Sequence, residues 1–217
     1  SQIMADIKYK LTYFNCRGLA EPIRFVLSAL NIPFEDIRVT EKEWQTLKPK
    51  IPTHQLPYLE VTTPTGTTGY SESMAIARLI AWRNHLMGNG DVEYYKVEKM
   101  IGQCMDIEKE CRKITNMTEG EERNKLENIF IKQKAPKILE LVCDSLKASG
   151  GKFVAGDKPS LGDLYLLTVI DNVADIDPNL IKCPALTTHR EAVMKTFPKL
   201  AEYIQMRDHT KQEHRCA

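Results

Sequence analysis

Tyr13-Phe14-Asn15-Cys16-Arg17-Gly18-Leu19-Ala20-Glu21-Pro22-Ile23-Arg24 is the stretch whose reading decides the fold. Up to Tyr13 the chain alternates. Ile7, Tyr9, Leu11 and Tyr13 fall on one side and Lys8, Lys10 and Thr12 on the other, the period-two pattern of a half-buried strand. After Gly18 the period changes: Ala20, Ile23, Val26, Leu27 and Leu30 recur at helical spacing, and Pro22 stands where a first helical turn accepts it. A strand that feeds directly into an amphipathic helix is the first half of a βαβ unit, and it can aim a hydroxyl at the strand end, that of Tyr13, into a cleft.

Outward from this stretch, residues 34–39 read as a second strand and 41–48 as a short helix carrying Trp44, after which Pro49 and Pro52 break the chain. A third strand spans 56–61, a hairpin over 65–70 leads into a fourth, and a helix runs over 71–85. The order βαβ then ββα is that of a thioredoxin-like domain with a mixed four-stranded sheet, lacking the redox C-x-x-C. Met87-Gly88-Asn89-Gly90-Asp91 reads as the boundary. We therefore expect an α/β domain over 5–86 and an all-helical bundle domain over 91–209. In the bundle, long amphipathic patterns cover 91–116 and 121–149, with Pro136 kinking the second. Ser160 and Asp163 are spaced as a capping box before an apolar helix over 164–170. Helices over 184–196 and 198–207 follow, then a loose polar tail over 210–217. Residues 1–4 read as a non-native remnant before a native start at Met4 or Ala5.

With 217 residues, 42% of them hydrophobic, the chain is long enough to bury a sizeable core. A net charge of +1 lacks the basic footprint of a nucleic-acid binder or of a polybasic membrane patch. No apolar run approaches the roughly 20 residues that span a bilayer, and no secretory leader is recognisable, so a soluble cytoplasmic protein is expected. Six cysteines, Cys16, Cys104, Cys111, Cys143, Cys183 and Cys216, show no metal-ligand spacing and read as free thiols in a reducing compartment. Cys104 and Cys111 fall on one helix stripe with Val97 and Ile101 and read as core.

Tyr13-Phe14-Asn15, Trp44, Lys48, Gln55-Leu56-Pro57 and Glu72-Ser73-Met74-Ala75-Ile76-Ala77-Arg78, in this order, resemble the glutathione S-transferases. The sigma class is the nearest, and within it the 28-kilodalton enzymes of parasitic flatworms, through Glu93-Tyr94-Tyr95, Glu98-Lys99-Met100-Ile101-Gly102-Gln103 and Ser145-Leu146-Lys147-Ala148-Ser149. The resemblance implies glutathione as co-substrate, no metal, a homodimer, and addition of the glutathione thiol to hydrophobic electrophiles. It also implies catalytic roles for Tyr13, which would hold the thiolate, and for Arg24. The resemblance assigns Trp44 and Lys48 to the glycyl end of the tripeptide, Gln55 to the glutathione site, a cis Leu56–Pro57 to the cysteinyl backbone, and Glu72 and Ser73 to the γ-glutamyl end. Asp106 would reach the γ-glutamyl ammonium in the partner subunit. Phe14 would border glutathione and, with Met105, the electrophile pocket.

On the residues alone, blander readings stand beside these. Arg24 can be an exposed helix arginine, Trp44 and Lys48 packing and a solvated charge, Ser73 an ordinary helix-start serine, and Asp106 a solvated carboxylate opposite the apolar stripe. One departure is plain: Leu19 stands where sigma enzymes commonly carry an arginine near the bound sulfur. A glutathione-dependent isomerisation of prostaglandin H2 to prostaglandin D2 belongs to the same expectation. The alternatives are a crystallin-like structural protein and a non-catalytic carrier of hydrophobic ligands.

Overall fold

The structure is a computed structural model that describes residues 7–150 and 152–209. Residues 1–4, the tail over 210–217 and Cys216 lie outside the described residues. Strand β1 (Lys8–Phe14) is followed by a short 3₁₀ turn and by α1 (Glu21–Ala29), then by β2 (Phe34–Val39), α2 (Glu41–Leu47), β3 (Tyr58–Thr63), β4 (Gly66–Tyr70) and α3 (Ser73–Arg83). The sheet order is β2-β1-β3-β4. β2 runs parallel to β1 while β3 runs antiparallel to both β1 and β4, which is the mixed sheet expected. Because β1 is an inner strand, Thr12 is buried along with Leu11 and Tyr13, and the alternation in burial is lost there. Thr40 caps α2 in a reciprocal box with Glu43. Lys48 lies just beyond α2 and opens a 3₁₀ turn.

The second half is helical: α4 (Gly90–Thr115), α5 (Glu121–Ile129), α6 (Ala135–Ala148), α7 (Leu161–Ile176), α8 (Pro184–Thr196) and α9 (Pro198–His209). Between α5 and α6 the chain does not break at Pro136. It passes through a π turn over Phe130–Lys134, which takes up the register lost because Pro136 has no N–H for the Lys132 carbonyl. The apolar helix begins earlier and ends later than the sequence pattern suggests. Residues 161–170 of α7 are all buried, because α7 is wedged between α4 and α1 and so needs no polar face. The Leu161 N–H donates to the Leu86 carbonyl at 2.7 Å, joining the start of α7 to the segment after α3. A two-pronged Arg78–Glu98 pair at 2.8 Å does the same for α3 and α4. One continuous apolar core runs from Leu11 and Ile23 through Ile101 and Leu164 to Leu200.

The expectation of six free thiols needs correction. Cys143 of α6 is bonded to Cys183, which caps α8, with Cα atoms 6.6 Å apart. The helical packing brings together two cysteines 40 residues apart, a proximity that spacing in sequence cannot express. Cys16 is disulfide-bonded as well, while Cys104 and Cys111 are free and buried, as expected. Burial, reinforced by the neighbouring Glu108, pushes the Cys111 thiol up to about 12, so it is inert at neutral pH.

Candidate active site

The site is built around the end of β1. Tyr13 is 5% exposed, on an inner strand, and the following turn folds back so that the Leu19 N–H donates to its hydroxyl oxygen at 3.1 Å. Gly18, with φ of 42°, occupies the left-handed region that lets this turn close. Burial raises the Tyr13 hydroxyl above its ordinary pKa, and Glu108 adds to this. The Leu19 amide, Arg112 and Arg24 pull the other way without cancelling it. The phenol therefore keeps its proton at neutral pH. With one lone pair taken by Leu19, the O–H is what it has to donate.

Arg24 is not an exposed helix arginine: it is fully buried. Its Nε donates to both Asp36 carboxylate oxygens at 3.1 Å. Its Nη1 donates to the carbonyls of Cys16 (2.9 Å) and Arg17 (3.1 Å) and to Glu21 (3.1 Å). Its Cζ stands 5.9 Å from the centre of the Tyr13 ring. The guanidinium thus clamps the turn that carries Leu19 and stacks on the ring of Tyr13. Glu21 in turn receives Arg207 (2.8 Å) and Tyr203 (3.2 Å) from α9. Although burial opposes ionisation, Arg24 and Arg207 hold the Glu21 carboxyl below the usual carboxylate range.

A cavity of about 530 Å³ opens beside this turn, bordered by Leu19, Ser73, Met105, Asp106, Glu108 and Arg112 among others. A smaller one of about 80 Å³ is bordered by Tyr13, Glu108 and Arg112, with Arg17 and Asp175 paired at its edge. Of the residues expected from sequence, the larger cavity collects Ser73, Met105 and Asp106, and the smaller one Tyr13. Asp106 is exposed and borders the cavity of its own chain. Phe14 borders neither. It packs edge-on against Trp44 at 6.2 Å and Tyr13 at 5.6 Å. Trp44 is 7% exposed, in a small cluster with Val39 and Ile51. Lys48 and Gln55 are exposed, with the Lys48 carbonyl 2.9 Å from Nδ1 of His54. The Leu56–Pro57 bond is cis. Glu72 precedes α3 with φ of 70°, an uncommon backbone state for a side chain with a Cβ, and its side chain makes no cap hydrogen bond to the first amides of α3.

Sequence reasoning passed over Glu108, Arg112 and Tyr165. Tyr165 borders the larger cavity from α7, and its hydroxyl donates a short hydrogen bond to Glu108. A signal for Glu108 does exist: it interrupts the apolar stripe Val97, Ile101, Cys104, Cys111, where a carboxylate needs a partner. Arg112 is one turn beyond it. Among the described residues, no group of three or more His, Cys, Asp or Glu side chains could hold a metal ion.

Comparison with known proteins gives a consistent result. The family described as "Glutathione S-transferase, N-terminal domain" matches residues 9–81, and "Glutathione S-transferase, C-terminal domain" matches 105–207. The "Glutathione S-transferase class-mu 28 kDa isozyme" of Schistosoma mansoni is 42% identical over 95% of this chain and 99% of its own length. The solved "Fasciola hepatica sigma class GST" is 40% identical, with a TM-score of 0.87 over 93% of this chain and 97% of that one. The human "Hematopoietic prostaglandin D synthase" is 29% identical over 94% of this chain and 98% of its own.

Proposed function

The chain belongs to the glutathione S-transferases, and from that premise we propose that Tyr13 holds the glutathione thiolate ready for attack on hydrophobic electrophiles in the larger cavity. A free thiol has a pKa near 8.5, so only a small fraction is thiolate at neutral pH. A phenol O–H donated to the sulfur favours the anion. The observation that carries this reading is the Tyr13 hydroxyl, buried, kept protonated, and aimed by the Leu19 amide. Arg112, which borders both cavities, supplies the cation that Leu19 removed from the turn. The tripeptide runs from Trp44, Lys48 and Gln55 past Phe14, Leu56 and Pro57 to Glu72 and Ser73. There the first amides of α3, which no side chain caps, receive the γ-glutamyl carboxylate. No covalent intermediate with the enzyme is needed: positioning and the lowered thiol pKa supply the rate.

Three finer points belong to the same proposal. We assign the enzyme to the sigma class; the name of the Fasciola structure supports this, although the Schistosoma relative is named class mu. The enzyme works as a homodimer in the cytosol, with Asp106 reaching the partner's glutathione, and its two domains divide between residues 86 and 91. The same thiolate isomerises prostaglandin H2, a reading favoured by the likeness to the human synthase.

The test compares the parent with Tyr13→Phe in conjugation to chlorodinitrobenzene, with calorimetric glutathione binding to both. We expect equal binding and a loss of about 10²-fold or more in kcat for the variant. Binding without turnover in the parent would instead fit the crystallin-like or carrier readings.

A further inference from the structure

Beyond the thiol-activating tyrosine, one buried carboxyl in the site has no assigned task. Glu108 is 9% exposed and lies in the wall shared by both cavities, beside Tyr13 in the smaller and opposite Leu19 and Ser73 in the larger. One of its oxygens, Oε2, accepts from the buried Tyr165 hydroxyl, which fixes the orientation of the carboxyl group. We propose that Glu108 is an acid of the electrophile cavity, giving its proton to α,β-unsaturated carbonyl substrates as the glutathione thiolate adds to them. This rests on the reading of Tyr13 above.

The step balances without any further reactant. The sulfur lone pair forms the S–C bond at the β-carbon, and the C=C pair moves toward the carbonyl as an enolate. The proton on Oε1 of Glu108 completes the adduct and leaves a carboxylate, which water in the open cavity reprotonates. Burial raises the carboxyl above its ordinary pKa, although the Tyr165 hydrogen bond and Arg112 draw it down. A thiolate formed close by adds a second negative charge, which favours the protonated acid further. Aromatic substitution makes no such demand, since the electron pair leaves with chloride and no proton is delivered. The two reaction types therefore separate a proton donor from a residue that merely shapes the pocket.

The experiment measures kcat/KM for 4-phenylbut-3-en-2-one and for chlorodinitrobenzene with the parent and with Glu108→Gln. We expect the ratio of enone to chlorodinitrobenzene activity to fall about 10²-fold in the variant. A ratio that stays constant, with both activities falling together, would overturn the proposal. Should Glu108→Gln fail to fold, Glu108→Asp takes its place in the ratio test, and the parent in deuterium oxide checks that a proton is delivered in the enone reaction at all. The enone reaction must slow more than the aromatic substitution, and equal slowing refutes the role of Glu108. Failure of the Tyr13 reading appears separately, as unchanged chlorodinitrobenzene turnover in Tyr13→Phe.

Discussion

Two buried carboxyls of opposite character flank the turn that carries the site. Glu21 is ionised and held between Arg24 and Arg207, with its pKa lowered. Its pairing stabilises the fold at neutral pH, and that contribution is lost as pH falls below roughly 4.3, the unfolded value, and through the lowered folded one. Burial raises Glu108, so the folded state holds its proton the more tightly. Stability therefore declines as pH rises from roughly 4.3 through the raised value, and Glu108→Gln should abolish that slope in urea titrations run across the range. Arg24→Ala leaves Glu21 without one of its cations and two carbonyls without a donor. We expect a loss of about 3–5 kcal/mol in the same titrations. Little of this was legible. Arg24 reads as an ordinary polar position on α1, because the groups that make its burial tolerable lie elsewhere in the chain. Asp36 is on β2, and Arg207, which shares Glu21 with it, is on the last helix.

Among the elements, legibility followed the locality of the cause. The bounds of β2 and α8 coincide with those read from the sequence, since alternation and an N-terminal proline are local signals. α7 was read too short because its buried length depends on having neighbours on every side. Its start is a firmer matter. Asp163 is fully buried and accepts from the Ser160 N–H (2.7 Å), the Ser160 hydroxyl (2.7 Å) and the Val154 N–H (2.8 Å), while Nε2 of His189 lies 2.7 Å away. The capping box is therefore also the joint between α7, α8 and the segment before α7. Asp163→Ala should cost more than the 0.5–2 kcal/mol or so of an ordinary cap, as read from the midpoint of denaturant unfolding. Of the candidate site, the parts at element ends (Tyr13, Leu56–Pro57, Ser73) were readable from motif order. Glu108 and Arg112 are one turn apart on α4, but Tyr165 joins them only through the packing of α4 against α7, a meeting that the sequence pattern does not express.

For the whole molecule, the Cys143–Cys183 bond ties α6 to the start of α8. Closing a loop of this length is worth roughly 4 kcal/mol in the chain-entropy account. Reduction should accordingly lower the thermal midpoint of the oxidised protein, and Cys143→Ser should reproduce that loss. The bond also bears on location, since reducing compartments keep thiols apart. Alkylation of the protein inside intact cells, followed by mass analysis of the Cys143 and Cys183 peptides, should find both alkylated if the protein is cytosolic as proposed. Finding them still joined would place it in an oxidising compartment.

The grip of α9 on Glu21 has a consequence for the order in which the enzyme is made. Every residue proposed to touch glutathione leaves the ribosome well before α9. The turn that steadies Tyr13, however, is braced through Arg24 and Glu21 by Tyr203 and Arg207 of α9, which emerge long after it. Competence is thus withheld until α9 has been made, and a product ending at Thr196 should fail to be retained on a glutathione affinity column.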